Sequence, residues 1–444
     1  MTEGESGGYR GDGRGLLSRH HLSIGDSVEV VTVDGKLSGI IMPRYEAASD
    51  EFIVIKLKSG YNVGIKIPKI RSIRKLPQKE AAPGVKAGSN PENKSLPKLA
   101  LISTGGTIAS KVDYRTGGVH AALSASELYD SVPELATYAR IEPEVLLSEY
   151  SENLNPRHWT MIAQKVAEKV RTGAFSGIVI SHGTDTMHYT AAALSFALQG
   201  LPVPVVLVGA QRSSDRPSSD AALNLLGATI FAARSEVSQV FVAMHAGTSD
   251  DAVAIHVGTR VRKNHTSRRD AFESIDVTPI AIMKDGKIEM QRESGIKLTP
   301  RNSANELKPR PHFDPSVALL KYHPGFDPRF VDYAVSAGYK AIILEGTGLG
   351  HVSRECFSAL KNAIKAGLMV CMTSQCIWGR VGMTVYDTGR DLLEIGVVPL
   401  SDMISETATV KAMWALANTK SIGSAKEMMK ENVANEMSSA LPIS

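Results

Sequence analysis

An apolar run, Leu99 to Ile102, ends abruptly at Ser103-Thr104-Gly105-Gly106-Thr107-Ile108-Ala109. Such a run reads as a buried strand. The paired glycines behind it allow a sharp turn and close backbone approach to another segment or a ligand. About 75 residues on, Gly177-Ile178-Val179-Ile180-Ser181 reads as a second strand and ends in His182-Gly183-Thr184-Asp185-Thr186-Met187. Two buried strands that each deliver a threonine beside glycine constrain the chain to an α/β sheet. In open sheets of that class, ligands sit at the carboxyl ends of the strands. Taken alone, Thr-Gly-Gly is an ordinary strand-to-helix turn or a phosphate cradle, but it lacks the dinucleotide spacing and the P-loop lysine. The second motif, which adds a carboxylate, turns the pair into a catalytic signal.

The remaining chain fits that class. From Lys98 onward strands and helices alternate, as a mainly parallel sheet with crossovers requires. Strands are expected at 99–103, 145–149, 177–181, 203–208 and 240–244, and helices at 124–129, 157–170, 189–197 and 221–234. Ile280 to Ile288, turning at Asp285-Gly286, reads as a hairpin. A further α/β unit begins near Val317, with strands at 318–322, 341–345 and 369–373 and helices at 328–337, 353–365 and 407–418. Before Lys98 the pattern differs. Short alternating strands between Ile24 and Ile65, with a turn at Asp34-Gly35, predict a small SH3-like β-barrel. The domain plan is therefore a disordered tail at 1–20, a barrel at 21–76 and a linker at 77–97. A large α/β domain at 98–297, a linker at 298–316 and a small C-terminal α/β domain at 317–444 complete it.

Composition excludes several classes. The 444 residues carry a formal net charge of only +4, too little for nucleic-acid binding by the whole chain. No stretch approaches the ~20 apolar residues of a membrane span, and the polar N-terminus has no signal-peptide core. The three cysteines, Cys356, Cys371 and Cys376, suggest no disulfide framework. A cytoplasmic location is expected. The histidines at 245, 256 and 265, with Asp250 and Asp251, have spacings that fit no metal-ligand pattern, so no metal is expected.

The two strand-end motifs resemble those of the asparaginase/glutaminase family of amidohydrolases, in which a threonine attacks a side-chain carboxamide. The resemblance implies a large and a small α/β domain with parallel sheets, and Thr104 as nucleophile. A hydroxyl is a weak nucleophile until a base activates it. Thr184 and Asp185 supply a hydroxyl and a carboxylate, and Lys263 in Val261-Arg262-Lys263-Asn264 matches the family's lysine segment. Read without the family, Lys263 is one more cation in the basic run 260–269. Ser151 and Glu152 match the family's substrate-binding position, where a carboxylate suits an α-ammonium ion. The competing reading is helix capping by Ser151 or Asn155. Tyr114, ten residues past Thr104, falls where the family has a loop that closes over substrate, with Thr116 as the alternative. Gln211 to Asp215 matches a structural segment of the family.

The segments Gly25-Asp26-Ser27-Val28, Gly39 to Arg44 and Lys58 to Ile65 resemble the N-terminal domain of the D subunits of archaeal glutamyl-tRNA(Gln) amidotransferases. Ser374 to Val381 and Glu406 to Trp414 resemble their C-terminal part. That likeness implies a glutaminase subunit whose ammonia a partner E subunit uses to convert Glu-tRNA(Gln) to Gln-tRNA(Gln). It also implies a homodimer within a heterotetramer. The chain shows no ATP-binding loop, so it carries no cofactor of its own and ATP and Mg are expected on the partner. A free-standing L-asparaginase with an accessory domain is the alternative. A binding protein that lost its chemistry is weakened by the presence of Thr104, Thr184, Asp185 and Lys263. The basic stretch 66–75 is open to three readings: an RNA contact, a partner contact or a lysine-protected strand edge.

Overall fold

The computed structural model describes residues 8–42, 50–57, 62–76, 94–106, 110–112, 119–121, 129, 132–212, 219–291 and 295–438. At the N-terminus, β1 (Ser27–Thr32), β2 (Lys36–Ile41), β3 (Phe52–Leu57), β4 (Asn62–Lys66) and β5 (Ile70–Lys75) form an antiparallel sheet in the order β4-β3-β2-β1-β5. A single 3-10 turn, Ile67–Lys69, links β4 to β5, so the sheet curls into an open barrel around Val28, Val30, Ile41, Ile53, Ile55 and Ile73.

The expectation of a disordered tail over residues 1–20 is corrected at its C-terminal half. Gly11–Arg19 is a helix, α1, and Tyr9, Leu16, Leu17 and Leu22 are buried in the barrel core. The Tyr9 hydroxyl donates to Met42 O at 2.9 Å and accepts from Val54 N at 2.8 Å, bridging β2 and β3 beyond their ladder. Three glycines make Gly11–Arg19 a poor helix by intrinsic propensity. Burial of its apolar side chains outweighs that handicap, as tertiary packing generally does for short helices.

The basic stretch 66–75 meets acids of its own domain: Lys69 with Asp34 (2.7 Å), Arg74 with Glu29 (2.8 Å), Lys75 with Asp26 (2.6 Å) and Lys66 with Glu51 (3.4 Å). Hydrogen bonds from Arg74 and Lys36 hold the Glu29 carboxyl below its ordinary value. These pairs account for most of the cations that made the stretch resemble an RNA contact.

The large domain is built on β6 (Lys98–Ser103), β9 (Arg140–Val145), β10 (Gly177–Ser181), β12 (Val205–Val208) and β13 (Val240–His245), all parallel. The sheet then continues antiparallel through β14 (Ala252–Val257), β17 (Ala281–Lys284) and β18 (Lys287–Met290), eight strands in all. It is therefore mixed rather than wholly parallel, and β14 is a strand that the expected strand–helix alternation did not include. Short two-stranded ladders join β7 (Ser110–Val112) to β8 (Val119–Ala121), β11 (Leu198–Gln199) to β19 (Lys308–Pro309), and β15 (Val261–Lys263) to β16 (Phe272–Ser274).

The strand expected at 145–149 lies instead at Arg140–Val145. β9 contains Pro143, which a strand accommodates here because β9 is the edge of the sheet. Beyond it the chain turns off the sheet, and Leu146 N and Leu147 N both bond Ser103 O.

Both faces of the sheet are covered. Along β6, Leu99 and Leu101 join one core while Ala100 and Ile102 join the other. Helix α2 (Pro156–Arg171) and helix α3 (Met187–Ala197) cover the second face, and α4 (Ala221–Arg234) covers the first. Helix α2 shows how local the signals are. Asn155 caps it and Pro156 occupies the first turn, while Trp159, Ile162, Ala163, Val166 and Ala167 form its buried stripe. Most of the helix expected at 124–129 lies outside the described residues.

The small domain has four parallel strands, β20 (Val317–Lys321), β21 (Ala341–Gly346), β22 (Met369–Ser374) and β23 (Val398–Pro399). Helices α5 (Arg329–Ser336), α6 (Phe357–Lys365) and α7 (Asp387–Ile395) pack on one face, and α8 (Ser405–Asn418) and α9 (Ile422–Lys430) on the other. Helix α8 is buried almost all round because its far side meets α3. There Trp414 stacks on Phe196, with ring centroids 5.6 Å apart. The segment read as a linker at 298–316 is strapped to both domains: Arg301 donates to Ala233 O and Ser235 O, and Trp414 Nε1 donates to Arg310 O.

Candidate active site

Parallel pairing sets the site. Ser103 of β6 lies opposite Ser181 of β10, so the two strands end level and Thr104 comes beside His182. Thr104 is 1% exposed, and both its N–H (3.0 Å) and its hydroxyl (2.9 Å) donate to Ser181 O. Gly105 and Gly106 then adopt φ of +118° and +83°. A Cβ at Gly105 would collide with Glu149 O, and one at Gly106 would lie 2.7 Å from Gly183 N. The glycines are required by this close approach of three chain segments.

The second strand end is stiffened by His182. Its Nδ1 lies 2.6 Å from Gly183 O and its Nε2 lies 2.8 Å from the Thr190 hydroxyl. A carbonyl only accepts, so the proton sits on Nδ1 and Thr190 donates to Nε2. Burial pushes the ring down to about 4 and keeps it neutral. Thr184 packs under Gly209, where a Cβ would lie 2.8 Å from Thr184 Cγ2. Gly209 O is in turn held by Asn224 Nδ2, and the Asp220 carboxylate accepts from Gln211 N and Arg212 N. Gln211 and Arg212 are thereby tied to Asp220, beside the Asn224 that holds Gly209, while residues 213–215 of that segment lie outside the described residues.

Lys263, at the end of β15, reaches back to the same loop. Its ammonium donates to Thr184 Oγ1 at 2.9 Å and to Asp185 Oδ1 at 2.6 Å. The Lys263 side chain is 9% exposed and that of Asp185 67%, so the row runs from interior to solvent. Lys263 is therefore not a solvated surface cation.

Ser151 adjoins the loop as well: a Cβ at Gly183 would lie 2.8 Å from Ser151 Cβ, and Thr186 Oγ1 donates to Ser151 O at 2.6 Å. Asn155 caps α2, which leaves Ser151 without a capping role. Ser151 is buried, and its neighbour Glu152 is exposed on the same 3-10 turn. Tyr114 and Thr116 lie outside the described residues.

The structure thus gathers Thr104, Thr184, Asp185, Lys263 and Ser151 around the ends of β6 and β10. The histidines at 245, 256 and 265 are dispersed: His245 bonds Asn224, His256 bonds Ser274, and His265 accepts from Ser267 N and Arg268 N. Sequence reasoning missed Arg260 and Glu406, which brace β15. Arg260, buried in a run of basic residues, carried no signal short of the fold.

Three family models match this chain. "Asparaginase, N-terminal" covers 98–295, "Glutaminase/Asparaginase C-terminal domain" covers 316–429 and "GatD N-terminal domain" covers 22–76. The D subunit of glutamyl-tRNA(Gln) amidotransferase from Pyrococcus furiosus is 48% identical over 429 residues, 95% of this chain and 96% of that protein. Its counterpart from Methanopyrus kandleri is 46% identical over 438 residues, 97% of this chain and 94% of that protein. The chain belongs to the family of archaeal glutamyl-tRNA(Gln) amidotransferase D subunits. Among solved structures, an L-asparaginase from Thermococcus kodakarensis superposes with a TM-score of 0.68 at 34% identity. It covers 77% of this chain and 100% of its own. L-asparaginase I from Vibrio cholerae gives 0.67 at 28% identity, covering 78% of this chain and 100% of its own. The amidotransferase relatives extend through the N-terminal barrel as well. Among the described residues, no helix is long and apolar enough to cross a membrane.

Proposed function

We propose that this chain is the glutaminase subunit of a tRNA-dependent amidotransferase. The observation that carries the reading is the pairing of a Lys263–Thr184–Asp185 row beside Thr104 with relatives that match through the N-terminal barrel. In this reading the Thr104 hydroxyl leaves Ser181 O and attacks the carboxamide carbon of glutamine. The Thr104 proton passes by way of Thr184 and Lys263 to the departing nitrogen, the transfer that general acid–base catalysis requires. The C–N bond breaks, ammonia leaves, and water hydrolyses the threonine ester to release glutamate. Asp185 holds the lysine in place. Ser151 binds the substrate's α-carboxylate and Glu152 its α-ammonium group, with Tyr114 on the loop that closes the site.

Ammonia then serves a partner E subunit, which holds ATP and Mg and converts Glu-tRNA(Gln) to Gln-tRNA(Gln) in the cytoplasm. The working particle is a homodimer of this chain within a heterotetramer. The test is hydrolysis of glutamine and asparagine by the purified chain, with and without E subunit and Glu-tRNA(Gln). Low glutaminase activity alone, rising severalfold in the complete mixture, is expected. Full partner-independent turnover with a preference for asparagine would favour a free-standing asparaginase. Glutamine and asparagine differ by one methylene, worth only about 1–3 kcal/mol of discrimination, so the assay must compare both.

A further inference from the structure

Strand β15 is three residues long and, among the described residues, pairs only with β16, yet it ends in Lys263, whose ammonium must stay within hydrogen-bonding reach of Thr184. What fixes it lies elsewhere in the chain. Thr259 is fully buried; its carbonyl accepts from Thr407 Oγ1 at 2.9 Å and its hydroxyl donates to Ala434 O at 2.7 Å. Arg260, 1% exposed, donates through Nε to Asn435 O (2.7 Å) and through Nη2 to Ser438 Oγ (2.7 Å), and it pairs with the buried Asp402 at 3.2 Å. Arg262 pairs with Glu406 at 2.7 Å. Three of the four residues leading to Lys263 are thereby tied to the small domain or to the C-terminal segment 433–438.

That segment is itself pinned. The Glu436 carboxylate accepts from Val433 N and meets Lys411 at 2.6 Å, both side chains fully buried. The Asn435 side chain exchanges two hydrogen bonds with the backbone of Lys297, each 3.1 Å. Among the described residues, no hydrogen bond or ion pair joins the segment to Thr104, Thr184 or Asp185.

We propose that segment 433–438 is a strap that positions Lys263, with Thr259 and Arg260 as the positioning residues through which it acts. This rests on the reading of Lys263 as the proton carrier. A lysine stem is long and flexible, so the placement of its backbone decides where the nitrogen falls, and a misplacement of about 1 Å in a catalytic group costs on the order of 100-fold. Loosening the strap lowers turnover without touching substrate contacts.

The experiment measures kcat and KM for glutamine on the full-length chain, supplemented with E subunit and Glu-tRNA(Gln). The variants are Thr259→Val, Thr259→Ser, Ser438→Ala, Lys263→Met and the double variant Thr259→Val with Lys263→Met. Thr259→Val is expected to lower kcat about tenfold at unchanged KM, a loss confined to the transition state. Thr259→Ser, which restores the hydroxyl, should recover turnover. Ser438→Ala, at a half-buried site that leaves the fold intact, should give a smaller loss of the same kind. In the Lys263→Met background Thr259→Val should have no further effect. An equal loss in both backgrounds, a loss confined to KM, or wild-type turnover in Thr259→Val and Ser438→Ala would overturn the strap while leaving the proton-carrier reading intact. Wild-type turnover in Lys263→Met would instead remove the proton carrier, and the strap's role with it.

Discussion

Replacing Thr104 by valine separates the chemistry of this residue from its structural role. Valine keeps the volume and the branched Cβ, so the pocket beneath the 1%-exposed side chain stays filled. The hydroxyl's hydrogen bond, 2.9 Å to Ser181 O, is lost. The carbonyl is not orphaned, because Thr104 N donates to the same oxygen at 3.0 Å. The structural cost is then that of one ordinary hydrogen bond, about 1 kcal/mol, rather than the larger penalty of a buried unsatisfied acceptor. For a domain of this size that corresponds to a drop of about 2–4 °C in the unfolding midpoint. The catalytic cost is of another order: loss of a nucleophile that acts with its base as one unit lowers kcat by at least about ten-thousandfold. Thermal unfolding by circular dichroism and ammonia release from glutamine read the two quantities on the same sample. A folded Thr104→Val protein that keeps more than about a hundredth of wild-type turnover would refute the nucleophile assignment. A midpoint lowered far beyond the stated range would show that the hydroxyl is structural after all.

Lys263→Met and Asp185→Asn should each cut turnover by at least about 100-fold, the scale of general acid–base effects. Because Lys263 bonds both Thr184 and Asp185, the double variant should lose less than the product of the singles, and strict multiplicativity would show that they do not cooperate. Stability should fall in mild acid. Burial pushes His182, His188 and His256 down to about 4 in the folded chain, against about 6.5 when unfolded. The unfolded chain therefore binds more protons between those values. Stabilisation is complete above the unfolded pKa and is lost as pH falls from about 6.5 toward 4, by up to about 3 kcal/mol per histidine. Denaturant midpoints at pH 7 and pH 5 check this, and equal midpoints would contradict it.

Ammonia in water is protonated and lost to the acceptor reaction, which is why a committed ammonia donor should be slow until its partner and acceptor are bound. The severalfold activation expected in the reconstituted assay follows from that requirement. Lid closure is a general means of imposing such control.

What the sequence determined by itself was local. The strand that stops at Thr104-Gly105-Gly106, the second that stops at Gly183-Thr184-Asp185, and the Asn155-Pro156 start of α2 are all written in neighbouring residues. Buried runs, capping side chains and glycine turns act over a few positions, so they can be read without the fold. The hairpin at Asp285-Gly286 is of the same kind, with both residues at positive φ. Other features were legible only in three dimensions. Gly11–Arg19 became a helix because the barrel offered its leucines a core, and β9 formed around Pro143 because it lies at a sheet edge. Strand β14, buried along its whole length, was hidden because an antiparallel return breaks the strand–helix alternation that marked the rest. The site followed the same division. Its residue types were visible, but the hydrogen bond from Lys263 to Thr184 spans 79 residues. The strap that holds Thr259 and Arg260 comes from 175 or more residues away. Such contacts depend on sheet register and domain docking, to which every strand and helix contributes. No local stretch of the chain encodes them, so only the tertiary structure decided where the lysine would stand.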